Sequence, residues 1–359
     1  MNLKTAIEHR CLHFHKPAGT SRGVYKTHDV WYVRVSSKEH PERFGIGECA
    51  PLHDLSCDYG DDYVVRLQEA CLKLEQTGSL DLEAFRNQPS ILFGLETAMR
   101  QLEVKQQQEQ SRGLEVKDVH HLLNTFALWD TPFSRGEQGI PINGLIWMGP
   151  HRDMEAQIRE KLDQGFSCIK LKIGAINFEE ELDLLKKIRR EYSPGTVTLR
   201  VDANGAFSPA EATEKLKRLS ELGLHSIEQP IRAGQWEAMA GLINSTPLPI
   251  ALDEEMIGVF SKEQKASLLD TLMPPFLVLK PTLHGGISGC AEWISLAEER
   301  CIGWWMTSAL ESNIGLNAVA QYCATLNNPL HQGLGTGLLY TDNVEMPLRI
   351  EGEKLWFRP

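Results

Sequence analysis

FSCIKLKIG, Phe166 to Gly174, is a short apolar run that carries two lysines. Side chains two apart on a strand share a face. Ile169, Leu171 and Ile173 therefore face one side, and Cys168, Lys170 and Lys172 the other. Two ammonium groups on one face repel, and each lowers the other's pKa. Alone, the stretch reads as an edge strand with a solvated lysine face. Its neighbours change that reading.

From Ile140 onward, short apolar runs alternate with amphipathic helices. IPINGLIWMG, FSCIKLKIG, TVTLRVDANG, LHSIEQP, LPIALDEE, PFLVLKP and CIGWWMTSA read as strands, with helical stretches such as MEAQIREKLDQG and FEEELDLLKKIRREY between them. Strands separated by single helices mean parallel βαβ units. Seven or eight such units in ~200 residues fit a closed α/β barrel. An open doubly wound sheet would be expected to show a GxGxxG turn, and none follows these strands. The first ~130 residues look α+β. Segments 3–15 and 30–36 read as strands, and Ser90 is placed to cap a helix through ILFGLETAMRQLEVKQQQEQ. A poorly patterned stretch then runs to about Gln138. The last segment, VEMPLRIEGEKLWFRP, reads as strands rejoining the first domain.

The chain has 359 residues, 42% hydrophobic and 24% charged, in the range of soluble globular proteins. A net charge of −11 argues against nucleic acid or an anionic membrane as partner. It leaves an anionic small-molecule substrate open, because local charge governs a pocket. Eight cysteines without a CxxC pair point to buried free thiols rather than a disulfide framework. The start lacks a signal-peptide apolar core, and no apolar run nears ~20 residues, so a cytoplasmic location is expected. Nothing in the pattern sets an oligomeric state.

Charged residues end the barrel strands in succession: Lys170 and Lys172, then Asp202, Glu228, Asp253 and Lys280. From Lys172 the steps are 30, 26, 25 and 27 residues, close to the ~31 of one βα unit in a ~250-residue eightfold barrel. Each group thus sits near the C-terminal ends of the strands, where barrel enzymes keep their sites. One such charge is explicable as a satisfied core group; five in register are not. Asp202, Glu228 and Asp253 suit a hard divalent cation such as Mg²⁺. Lysines flank it, and a cation with neighbouring ammonium groups lowers a lysine's pKa into the range of a base. The expected chemistry is proton abstraction α to a carboxylate.

KLK, RVDAN, IEQP, ALDEE and LKP, in this order, resemble the muconate-lactonizing-like branch of the enolase superfamily over nearly the whole chain. The resemblance implies a modified (β/α)7β TIM-like barrel at 136–339 under an N-terminal α+β capping domain at 1–135, completed by 340–359. It implies Mg²⁺, with Mn²⁺ as substitute, and a small-molecule carboxylate substrate. LKPTLHGG (279–286) and SALESNIG (308–315) look like the o-succinylbenzoate synthase family, which implies a syn dehydration of a cyclohexadiene carboxylate in menaquinone biosynthesis. An N-acylamino-acid racemase or dipeptide epimerase on the same metal and lysines is the alternative. GLGT (333–336) stands where the family usually has GLDT; the missing acid disfavours an epimerase holding a substrate ammonium, and it also departs from the synthase pattern.

By the same resemblance, Lys172 is the base and then the acid, with Lys280 across the ring as a cation facing the intermediate. In a racemase Lys280 would be the second base. Lys170 would lower the pKa of Lys172 and touch the substrate carboxylate. Arg200 shares the Asp202 face and is expected at substrate or behind the ligands. Asn204 is expected behind the metal ligands or as a turn residue, and Glu254 beside a catalytic lysine or as a helix-start acid. Ser308, Glu311 and Ser312 are expected to line the pocket, or to cap a helix. Gly285 and Gly286 would let backbone approach a carboxylate, or turn the chain. His284 reads as a loop histidine. HKPAGTSRG (15–23) and GIGECAPL (45–52) are candidate pocket covers, or plain hairpin connections.

Overall fold

The computed structural model describes residues 2–20, 23–112 and 126–358. Ser21 and Arg22 of the 15–23 loop, and 113–125 of the poorly patterned stretch, lie outside these.

The chain opens with a three-stranded antiparallel sheet: β1 (Leu3–Thr20), β2 (Gly23–Ser37) and β3 (Phe44–Cys49). Helices α1 (Tyr63–Thr77) and α2 (Pro89–Arg112) pack on it. β3 and α2 approach closely because the GIGEC stretch supplies glycines: a Cβ at Gly47 would lie 1.8 Å from the Gly94 carbonyl oxygen. Ser90 does not cap α2. It lies inside the helix, and its N–H and hydroxyl both donate to Asp58, at 2.8 and 2.6 Å, so the acid at this helix start comes from elsewhere in the chain.

IPINGLIWMG divides in two. β4 (Ile140–Pro141) belongs to a separate small sheet, and β5 (Gly144–Ile146) begins the barrel. There follow α3 (His151–Asp163), β6 (Cys168–Lys172), α4 (Phe178–Glu191), β7 (Thr198–Asp202), α5 (Pro209–Ser220), β8 (Ser226–Glu228), α6 (Trp236–Ser245), β9 (Ile250–Leu252), α7 (Lys262–Leu272), β10 (Phe276–Leu279), α8 (Gly286–Glu298), β11 (Gly303–Met306) and α9 (Asn313–Thr325). Local signals start several helices: Asn177 caps α4, and Ser208 with Glu211, and Ser261 with Gln264, form capping boxes on α5 and α7.

β5 to β11 form one parallel sheet in chain order. It closes through bridges from Thr307 to Gly333 and from Ile142 to Gln332, so the eighth strand is reduced to Gln332 and Gly333. FSCIKLKIG is therefore no edge: β6 pairs with β5 and β7, and Lys170 is buried. The C-terminal segment meets the first sheet at Tyr340, which bridges Phe14. The final hairpin, β12 (Leu348–Glu351) and β13 (Lys354–Phe357), pairs instead with β4. All eight thiols are free. Five are buried, but Cys11, Cys57 and Cys301 are exposed, against the expectation of burial. Among the described residues no helix is long and apolar enough to cross a membrane.

Candidate active site

Strand register brings the charges together. Lys172 pairs with Asp202 across β6 and β7, and Asp202 with Glu228 across β7 and β8. Asp253 and Lys280 directly follow β9 and β10. One ligand atom from each of Asp202, Glu228 and Asp253 lies within 4.8 Å of the others, and all three residues are buried. Gln229, with left-handed backbone at φ 35°, accepts the N–H groups of Asp253 and Glu255 at 3.2 Å, tying the end of β8 to the turn after β9.

Each lysine donates into this cluster. Lys170 pairs with Glu228, and with Asp202 at 3.1 Å. Lys172 reaches Asp202 at 3.2 Å and the Asn204 side-chain Oδ1 at 2.7 Å, and the Asn204 side-chain amide donates onward to Glu254 at 3.0 Å. Lys280 pairs with Asp253. Burial pushes the Lys172 ammonium below its ordinary pKa; Asp202 opposes this, while Lys170 and Lys280 add to it. Burial also works against charge on Lys280 and Lys170, but there the carboxylates outweigh it and hold both above the ordinary value. The mutual lowering expected from two lysines on one face thus appears at Lys172 and is overridden at Lys170.

The donor set fits a divalent cation. Glu228 Oε1 and Asp253 Oδ1 are buried oxygens without a hydrogen-bond partner, a costly state that a cation would relieve. Above the cluster lies a cleft of about 720 Å³, its open mouth included, ample for a small organic acid. Lys170, Lys172 and Lys280 line it together with Asp202 and a mostly apolar wall.

The family model "Enolase C-terminal domain-like" matches residues 153–357. The o-succinylbenzoate synthase of Desulfotalea psychrophila is 43% identical over 352 residues, covering 94% of this chain and 95% of that one. The chain belongs to the o-succinylbenzoate synthase family of the enolase superfamily. The crystal structure of MenC from D. psychrophila superposes with a TM-score of 0.81 at 36% identity, covering 99% of this chain and all of that one. The L-Ala-D/L-Glu epimerase of Bacillus subtilis shares the enolase-superfamily fold, with a TM-score of 0.78 at 19% identity over 99% of this chain and 95% of that one.

Not every residue expected at the site of this enolase-superfamily chain is there. Arg200 does face inward, but one layer below Asp202. Its guanidinium lies 4.0 Å over the Trp305 ring and donates to the His331 carbonyl at 2.8 Å, so it packs the barrel interior and stays out of the cleft. Glu311 spends its oxygens on Thr282, Ser308 and the Ala309 N–H, and Ser312 caps α9 while donating to Glu48. Both are buried outside the cleft, and Ser308 alone of the three lines it. Gly285 is the N-cap of α8 at φ 93°, again away from the cleft. His284 is buried and accepts the Lys280 N–H at 3.0 Å. The capping domain reaches the cleft through Leu52 of GIGECAPL and through Leu55 and Tyr25, not through described residues of the 15–23 loop. Asn143, Leu145 and Trp147 were not anticipated; they alternate along IPINGLIWMG, a period-two signal that charge-led reasoning passed over.

Proposed function

We propose that the chain is an o-succinylbenzoate synthase, converting 2-succinyl-6-hydroxy-2,4-cyclohexadiene-1-carboxylate to 2-succinylbenzoate by syn dehydration in menaquinone biosynthesis, in the cytoplasm. The composition of the cleft wall carries this reading over an epimerase using the same lysines. Three lysines face a cavity whose one lining carboxylate among the described residues, Asp202, belongs to the metal triad. Such a wall suits an apolar ring bearing two carboxylates. Among the described residues it offers a substrate ammonium no acid beyond the triad.

Asp202, Glu228 and Asp253 would hold Mg²⁺, with Mn²⁺ as substitute, and the bound cation would offset the charge of a substrate carboxylate and of the enediolate that deprotonation creates. Lys172 takes the proton from the ring carbon bearing the carboxylate. The electron pair left behind forms the new ring double bond as the C–O bond to the hydroxyl breaks. Lys172 returns its proton to that oxygen, water leaves, and the amine ends neutral as it began. One group acting twice requires both events on one face. Asn204, between Lys172 and Glu254, orients the amine. Lys280 presents a cation to the other side of the ring.

The test is direct: enzyme, Mg²⁺ and the cyclohexadiene substrate should yield the aromatic product. Efficient turnover of N-succinylamino acids or dipeptides, with none of the cyclohexadiene, would overturn the assignment.

A further inference from the structure

α8 and α9 begin at the catalytic end of the barrel, and neither is capped by its own segment alone. The first N–H groups of a helix need acceptors from outside it. The N-cap of α8 is Gly285, which has no side-chain oxygen. Glu96, on α2 of the capping domain, supplies it: the N–H groups of Ile287 and Ser288 donate to Glu96 at 2.6 and 3.0 Å. Glu48, on β3 of the same domain, does this for α9. It accepts the N–H groups of Ser312 and Gly315, both at 2.7 Å, and the Ser312 hydroxyl. Both helices carry a glycine where the carboxylate sits. A Cβ at Gly286 would lie 2.2 Å from Glu96 Oε2, and one at Gly315 3.0 Å from Glu48 Oε2. The glycine that closes LKPTLHGG thus makes room for an acid of the other domain, and the one that closes SALESNIG for Glu48 and, closer still, for Glu311 Cβ at 2.6 Å.

What these caps hold is the rim of the cleft. Lys280 to Gly286 runs from β10 into α8, and Thr307 to Ser312 from β11 into α9. Glu311 cross-links the two, accepting from Thr282 on one and from Ser308 and Ala309 on the other. Ser308, Ala309 and Leu310 line the cleft. We propose that Glu48 and Glu96 are positioning residues: two capping-domain carboxylates that, by accepting the first N–H groups of α9 and α8, set the cleft wall of the barrel through the 307–312 and 280–286 segments. Burial pushes both carboxyls up to about 7, and the positive end of a helix opposes this by favouring their charged form.

Amide hydrogen exchange on the full chain tests this without substrate. In Glu48→Ala, exchange at 312–315 should quicken on the order of tenfold or more, as expected for losing charged buried hydrogen bonds, while α4 and α5 keep their protection. Glu96→Ala should do the same at 286–288. Glu48→Gln retains one acceptor oxygen and should recover part of the protection. If Glu48→Ala does not fold, the glutamine variant carries the test, with a smaller local rise expected. Unchanged exchange at 312–315, or a rise spread evenly over the chain, would overturn the proposal. The kinetic arm rests on the activity proposed above: Glu48→Ala should raise KM for the cyclohexadiene at least ~5-fold with kcat within ~2-fold, since the wall moves and Lys172 does not. A fall in kcat with KM unchanged would count against it. A wild-type chain that makes no aromatic product, yet loosens at 312–315 in Glu48→Ala, would sink the activity and leave the caps standing.

Discussion

Lys172 and Lys280 both donate into the acid triad, one to Asp202 and the other to Asp253, yet their surroundings move them in opposite directions. Lys172 is lowered by burial, with Lys170 and Lys280 adding to the effect against Asp202. Lys280 is raised because Asp253 and Glu254 outweigh its burial. Two lysines matched as alternating bases would call for similar environments. These are the directions in the triad without its cation; a bound cation would take up the carboxylate charge and lower both lysines.

A pH profile should report this. The working form of Lys172 is the neutral amine, so a lowered pKa brings that form toward neutral pH. kcat/KM should climb with pH through an apparent pKa below 10.5, the ordinary lysine value, and level off above it. Lys280→Ala removes one cation that depresses Lys172, so its rising limb should shift to higher pH. A limb at or above 10.5 in the wild type, or no shift in the variant, would contradict the assignment.

The triad predicts metal dependence. Glu228 is one of three close carboxylates and has a buried oxygen without a hydrogen-bond partner. Glu228→Gln keeps the shape and removes the charge. Activity should fall below detection with the far-ultraviolet circular dichroism retained, and calorimetry should show weakened Mg²⁺ binding. Chelator-treated wild type should recover on adding Mg²⁺. Full activity in metal-free buffer would refute the metal role.

The ladder of Lys172, Asp202, Glu228, Asp253 and Lys280 was legible in the sequence because each charge ends one strand and the βα repeat fixes their spacing. Depth was not legible. Period-two alternation puts Arg200 on the same side as Asp202, but two residues down a strand is roughly 7 Å, enough to take it from the cleft to Trp305. Ser312 took the capping alternative, and Glu311 went to neither, for a different reason. Ser312 meets Glu48, 264 residues away, and Glu311 meets Thr282 on the neighbouring strand–helix connection, and no local pattern signals either contact. The closing strand, Gln332 and Gly333, is too short to leave an apolar run.

Gly335 offers a test of the cleft wall. A Cβ there would meet the Asn143 carbonyl oxygen and Ile142 Cδ1 at 3.6 Å, ordinary contact distances. Gly335→Asp should therefore fold, and set a negative charge against a substrate with two carboxylates. A repulsion of about 1–2 kcal/mol corresponds to a rise in KM of roughly 5–30-fold. An unchanged KM for the cyclohexadiene would remove the argument that favours it over an ammonium-bearing substrate.

The two lysines can be separated by mutation. If Lys172 makes both proton transfers, Lys172→Ala removes the only base and the only acid, and product formation should stay below detection even at raised pH. Lys280→Ala leaves that machinery and removes a cation facing the intermediate. A desolvated cation–π contact is worth about 2 kcal/mol or more, so a loss of at least ~30-fold is expected. Hydrogen exchange at the α-carbon of separate enantiomers of an N-succinylamino acid adds a second criterion. A two-base racemase assigns one lysine to each face, so each variant would keep exchange from one enantiomer and lose it from the other. The one-lysine dehydratase predicts that Lys172→Ala abolishes exchange from both, while Lys280→Ala slows it without reversing the preference. Opposite enantiomer preferences in the two variants would favour the two-base geometry and count against syn dehydration through Lys172.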